Sequence, residues 1–103
     1  MADVKQFTDP ELLLNMLELD LDMRKPDERR VGQLRDLLNV AASRLARKGI
    51  TLRDTLDDAH LQVSLAAWLY RRRNQITGPA MPESLRLDIN DRLIGEKAGG
   101  LDG

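Results

Sequence analysis

His60 is the single histidine of this 103-residue chain, and it follows Asp57 and Asp58 by three and two positions. An imidazole beside two carboxylates can ligate a metal or act as a general base. Here the spacing puts all three in one turn at the start of a helix, with no second histidine and no clear third ligand. His60 is therefore expected to be a partly exposed first-turn residue. Asp88 and Asp91 stand three apart, as a pair of acid–base carboxylates could. Arg86 and Arg92 are near enough to neutralise them, so solvated ion pairs are expected instead. Ser43, Ser64 and Ser84 have no base beside them in the sequence. The chain has no cysteine, which removes disulfides, thiolate metal sites and cysteine nucleophiles. It carries no phosphate loop, dinucleotide fingerprint or nucleophile elbow. No enzymatic activity, cofactor or metal is expected.

The strongest local feature is Arg71-Arg72-Arg73, which ends an otherwise apolar segment. Three cations suit the negative end of a helix dipole and keep a surface soluble. Three planar forks in a row also suit phosphate groups. Against a nucleic-acid reading, the net charge is −1 and no aromatic residues interleave with the arginines. An interface with acidic groups of another protein ranks above it, because arginine is enriched in protein interfaces. Trp68 and Tyr70 project from roughly opposite faces of the same helix; one belongs in the core and the other is free to anchor an interface. A second basic cluster, Arg44, Arg47 and Lys48, crowds the end of another helix before Gly49, where the dipole explains it without a ligand.

The elements that position these residues are helices. Nineteen leucines outnumber all valine, isoleucine and threonine together, which favours helix over sheet. The expected fold class is all-α, a small bundle of about four helices between a loose N-terminal arm (residues 1–7) and a flexible C-terminal tail (96–103), with the domain over 8–95. Thr8 and Glu11 have capping-box spacing around Pro10, and a first helix runs to about Asp20. Its apolar residues cover most of the circumference, so it is buried on more than one side. Asp27 starts a second helix that ends at Lys48, with a stripe of Val31, Leu34, Leu37, Leu38, Ala41 and Leu45. Leu52 and Leu56 are expected to plug the core from the connector that follows. Asp57 or Asp58 starts a third helix reaching about Gln75, apolar at almost every angle and hence central. A loop over Thr77–Ala80 precedes a fourth helix from Pro82 to Ile94, ended by Gly95. Leu85, Ile89 and Leu93 form one face of it, with Leu87 and Ile94 opposite.

One domain is the natural reading of this length. No apolar run approaches the roughly 18 residues of a membrane span, and the N-terminus has no signal-peptide core, so the chain is expected to begin in a cytoplasm. Charge alternates in blocks: −5 over residues 1–28, +5 over 29–48, −2 over 49–60, +3 over 61–76 and −2 over 77–103. Such blocks balance one another between packed helices or between copies of the chain.

From Ala59 to Arg73, and again over Met81-Pro82-Glu83-Ser84-Leu85 and Asn90-Asp91-Arg92-Leu93-Ile94, the sequence resembles the head–tail connector family of long-tailed phages. In that family a helix rich in alanine and leucine ends in a Trp/His-Tyr-x-x-Arg-like segment, followed by a loop and a proline-started last helix. Trp68, Tyr70, Arg73 and Pro82 stand at the matching positions, and the resemblance covers about residues 8–95. Arg71-Arg72 and the basic second helix depart from the family pattern. The resemblance implies a structural virion protein at the head–tail junction, assembled in the host cytoplasm. It implies a homo-oligomeric ring of roughly a dozen copies on the portal protein. A stopper or completion protein would meet it on the tail side, and DNA would pass through the channel without sequence readout. The resemblance further implies that the C-terminal segment, Gly95 to Gly103 with Glu96, Lys97 and Leu101, reaches the portal. Candidate interface residues are then Tyr70, Arg71, Arg72, Arg73, Arg44, Arg47, Lys48 and that segment. The alternatives are a small DNA-binding regulator using the two basic clusters and a helical interaction module outside any virion.

Overall fold

The computed structural model describes residues 7–73 and 81–102, with side chains through Lys97. Four helices make it up: α1 (Pro10–Asp20), α2 (Glu28–Lys48), α3 (Leu56–Arg73) and α4 (Glu83–Asp102). The all-α expectation holds, and the described residues contain no strand. Residues 1–6 of the expected arm, the expected end of the third helix at about Gln75 and the expected Thr77–Ala80 loop lie outside the described residues.

Local chemistry sets each helix boundary. Asp9, not Thr8, caps α1: its carboxylate accepts the Glu11 N–H, while the buried Thr8 hydroxyl has no partner among the described residues. The expected capping box is therefore absent. The Met23 N–H donates to the Glu18 carbonyl and the Asp22 N–H to Leu19, with Asp22 in the left-handed region (φ 56°). This is a Schellman stop with an aspartate where glycine is commoner. Asp27 caps α2 as expected, accepting the Arg30 N–H at 2.8 Å. At the other end Gly49 takes φ 102°, which a side chain would strain, and bonds Ala46 while Ile50 bonds Leu45. This turn delivers Ile50 into the core, where it is fully buried. Thr55 rather than an aspartate opens α3, its hydroxyl accepting the Asp58 N–H and its carbonyl the Ala59 N–H.

α3 is the central helix and packs against the other three. α1 runs parallel to it: Asp54, just before α3, accepts the N–H groups of Phe7 and Thr8, and Arg71, at its other end, reaches Asp20. Phe7 is thereby tied down rather than loose, and it packs on the core. α2 and α4 run antiparallel to α3, as the pairs Gln62–Leu38 and Tyr70–Arg30, and then Arg92–Asp58, require. The core is aliphatic, drawn from Leu13, Leu14 and Leu17 of α1, Leu34, Leu38, Ala41 and Leu45 of α2, most of α3, and Leu85 and Ile89 of α4. One expectation fails at the edge. Leu56 is 54% exposed, because α3 starts there and turns it outward; Ile50 takes its place. α1 is buried on more than one side, as expected, against α2 and α3, while Leu19 faces outward at 80% exposed.

The expected end of the last helix at Gly95 is also corrected. α4 continues to Asp102, so Glu96 and Lys97 are helical and not part of a flexible tail. An interior glycine costs a helix only about 1 kcal/mol. The Arg92–Glu96 pair, one turn apart and 2.8 Å long, spans Gly95 and works against that cost. A Cβ at Gly95 would meet nothing within 4 Å. Gly95→Ala is therefore expected to stabilise the chain by up to about 1 kcal/mol and raise its helical circular dichroism. A lower urea midpoint would contradict a helical Gly95.

Candidate functional site

The end of α3 sorts the three arginines into different roles. Arg71 turns back to the end of α1: its guanidinium donates to the Asp20 carbonyl at 2.9 Å and lies 3.7 Å from the Asp20 carboxylate. A cation there satisfies a free helix-end carbonyl and the dipole together. Arg72 lies over the Trp68 ring, 5.1 Å from its centroid. Arg73 is exposed and has no ion-pair partner among the described residues. Arg71→Ala is expected to cost about 1 kcal/mol, because its pair is half-exposed, and Arg73→Ala nothing measurable. Equal losses in thermal melts would contradict this division.

Both aromatic residues are half-buried. The Tyr70 hydroxyl accepts a hydrogen bond from Arg30 of α2, whose guanidinium also covers the ring at 5.6 Å. The Trp68 indole N–H is buried without a partner among the described residues. Tyr70, Arg73, Arg29 and Arg30 line a cleft of about 370 Å³ between the end of α3 and the start of α2. Its one carboxylate, Asp27, is already committed to capping α2.

Arg44, Arg47 and Lys48 are exposed at the opposite end of α2. They follow Arg29 by 15 to 19 residues on α2, a rise of roughly 22–28 Å from the Arg29–Arg73 cleft. The two basic clusters stand at opposite ends of α2. Gly95, Glu96 and Lys97 stand toward the far end of α4, at the same end of the molecule as Lys48 and Gly49: Glu96 lies 3.8 Å from Arg53, and a Cβ at Gly49 would sit 3.6 Å from Leu93. Leu101 lies beyond the described side chains.

Sequence reasoning missed the most tightly built polar group in the molecule. Asp58 is the one buried charged residue among those described, 3% exposed. Arg92 of α4 meets it with both arms of its fork, Nε to Oδ1 at 2.7 Å and Nη2 to Oδ2 at 3.1 Å. The Arg53 N–H donates to Oδ2 at 2.8 Å. Arg92 also donates to the Thr51 carbonyl (2.7 Å) and to Glu96 (2.8 Å), and Arg53 stands 3.8 Å from Glu96. Burial pushes the Asp58 carboxyl up, but the hydrogen bonds from Arg92 and Arg53 outweigh it and hold it below the usual carboxylate value. The hydrogen bond from Arg92 likewise lowers Glu96. Asp58, in turn, raises Arg92. The network clamps α4 onto the connector that leads into α3. The one available signal was a buried-phase aspartate at the N3 position of an apolar helix, with a bidentate-capable arginine in the next one.

His60 is exposed on the other side of Asp58, with Nδ1 3.4 Å from the Ser64 hydroxyl. Asp57, Asp88 and Asp91 line the adjoining cleft of about 460 Å³ between α3 and α4. The expected ion pairs of Asp88 and Asp91 with Arg86 and Arg92 do not form, because Arg92 is committed to Asp58 and Glu96. Among the described residues no group of three or more His, Cys, Asp or Glu could hold a metal ion. No helix among them is long and apolar enough to cross a membrane. No protein-family model matches the chain, and no curated protein or solved structure matches it either.

Proposed function

We propose that this chain is a head–tail connector of a tailed phage, a structural virion protein that forms a ring between the portal and the tail-side proteins. The observation that carries the reading is the Trp68–Tyr70–Arg73 segment at the end of the central helix, followed by a last helix that opens at Pro82. Trp68 and Tyr70 are each covered by an arginine, whereas Arg73 and Arg29 stay at the surface without acidic partners among the described residues. A helical slab of 45 × 43 × 18 Å with polar clefts at both ends of its central helix suits a ring subunit, which must contact a copy on either side. Charged rather than base-reading residues suit a channel through which DNA slides. No residue is assigned a catalytic role, and the partners are the portal, the tail-side protein and copies of the chain itself.

Deleting the coding sequence from the phage genome tests this reading. A junction protein is needed only to join two finished parts. DNA-filled heads and free tails are expected to accumulate, and infectious particles to vanish until the chain is supplied in trans. Normal tailed particles without the chain would overturn the proposal.

A further inference from the structure

The two ends of α3 carry clefts of opposite charge. At its start, Asp57 on α3 and Asp88 and Asp91 on α4 line the 460 Å³ cleft, and none of the three has an ion-pair partner among the described residues. The cation in that cleft, Arg92, is consumed by Asp58, Glu96 and the Thr51 carbonyl. At the end of α3, Arg29 and Arg73 rim the 370 Å³ cleft around Tyr70, again without acidic partners. Asp57 and Arg73 are sixteen residues apart on one helix, a rise of about 24 Å, so the clefts cannot neutralise each other within one copy.

We infer that the acidic α3–α4 cleft of one copy receives the basic α2–α3 cleft of the next, a head-to-tail contact of the chain with itself. Charge complementarity singles out the occupant: each unneutralised cleft finds its opposite on the same sequence. Apolar surface lies beside the acids to support the contact. Leu87 and Ile94 share the outer face of α4, one heptad apart, and are 49% and 65% exposed; Asp91 lies on the same flank. On the opposing side the half-buried Tyr70 ring offers an aromatic anchor between the arginines. A contact between two different patches is heterologous, and repetition of it closes a ring when the rotation divides a full turn. The charges fix register and orientation, while the apolar stripe supplies burial. The inference deepens the connector reading and rests on it for the meaning of the ring.

Two reversed variants test the pairing, R29E/R73E and D88K/D91K, whose exposed positions lie outside the core. Sedimentation velocity of the full chain at low salt is the readout, with thermal melts to establish that each variant folds. The wild type is expected to self-associate and to dissociate as salt rises. Each variant alone carries two like-charged clefts, and its association should weaken at least about tenfold. An equimolar mixture of the two restores opposite charges at every contact and should restore association to about the wild-type level. Undiminished association of either variant, or a mixture no better than its components, overturns the pairing and leaves the connector reading standing. A wild type that stays monomeric at low salt also overturns it, whereas the connector reading is tested by the gene deletion and by the composition of purified particles.

Discussion

Replacing Arg92 by leucine is expected to destabilise the folded chain by about 3–5 kcal/mol at pH 7, more than any other single charge removal. The magnitude follows from burial. An exposed pair contributes about 0–1 kcal/mol, and the Arg35–Glu11 and Arg71–Asp20 pairs belong to that class. The Asp58 side chain keeps 4% of its surface, so losing Arg92 strands a carboxylate away from water. The Thr51 carbonyl and Glu96 lose their partner in the same step, which also loosens α4 from α3. Lysine does not restore the geometry, since a single ammonium cannot hold both Asp58 oxygens and the Thr51 carbonyl at once. The dependence on pH has a definite sign. Both Asp58 and Glu96 sit below their ordinary values in the folded chain. The unfolded chain therefore takes up protons first as the solution is acidified. The stabilisation is complete above the unfolded carboxylate values near pH 4 and is lost as pH falls through the lower folded values. Urea titrations of the wild type and R92L should differ by the full amount at pH 7 and converge toward pH 3. A difference below about 1 kcal/mol at pH 7, or one that grows in acid, would contradict the clamp.

Leu34→Ala is expected to cost about 3–4 kcal/mol, because Leu34 is fully buried at the α2 face that meets α1 and α3. The loss combines the transfer energy of the deleted carbons with the cavity they leave, and helices held from two sides collapse little into it. For a domain of this size each kcal/mol lowers the midpoint by roughly 4–8 °C, so a fall of about 12–32 °C follows. Leu19, on α1 and 80% exposed, is the control: L19A should stay within about 0.5 kcal/mol of wild type. Comparable losses for the two would show that α1 and α2 are not packed as described.

The helical fold was legible because period and composition agree. The Val31–Leu45 stripe named the buried face of α2, and Leu85, Ile89 and Leu93 named that of α4. The apolar excess of α3 identified the helix that touches all others. What eluded the sequence were tertiary choices among near-equivalent residues. Asp9 and Thr8 can each cap a helix, and only the path of Phe7 and Thr8 toward Asp54 decides between them. Gly95 reads as a stop, yet the Arg92–Glu96 pair carries the helix across it. Arg92 is expected to pair with Asp88 or Asp91, its neighbours in sequence, but it pairs with the distant and buried Asp58. The arginine run was visible as a feature, but its division into a helix-end partner, a cation over Trp68 and an Arg73 without an ion-pair partner among the described residues needs three dimensions.

The most direct test of the connector proposal is quantitative mass spectrometry of density-purified phage particles from cells that encode the chain. The proposal predicts the chain in tailed particles at about a dozen copies, the order expected of one cyclic ring and far below the major capsid protein. Its absence from intact tailed particles, despite good expression in the infected cell, would contradict the proposal.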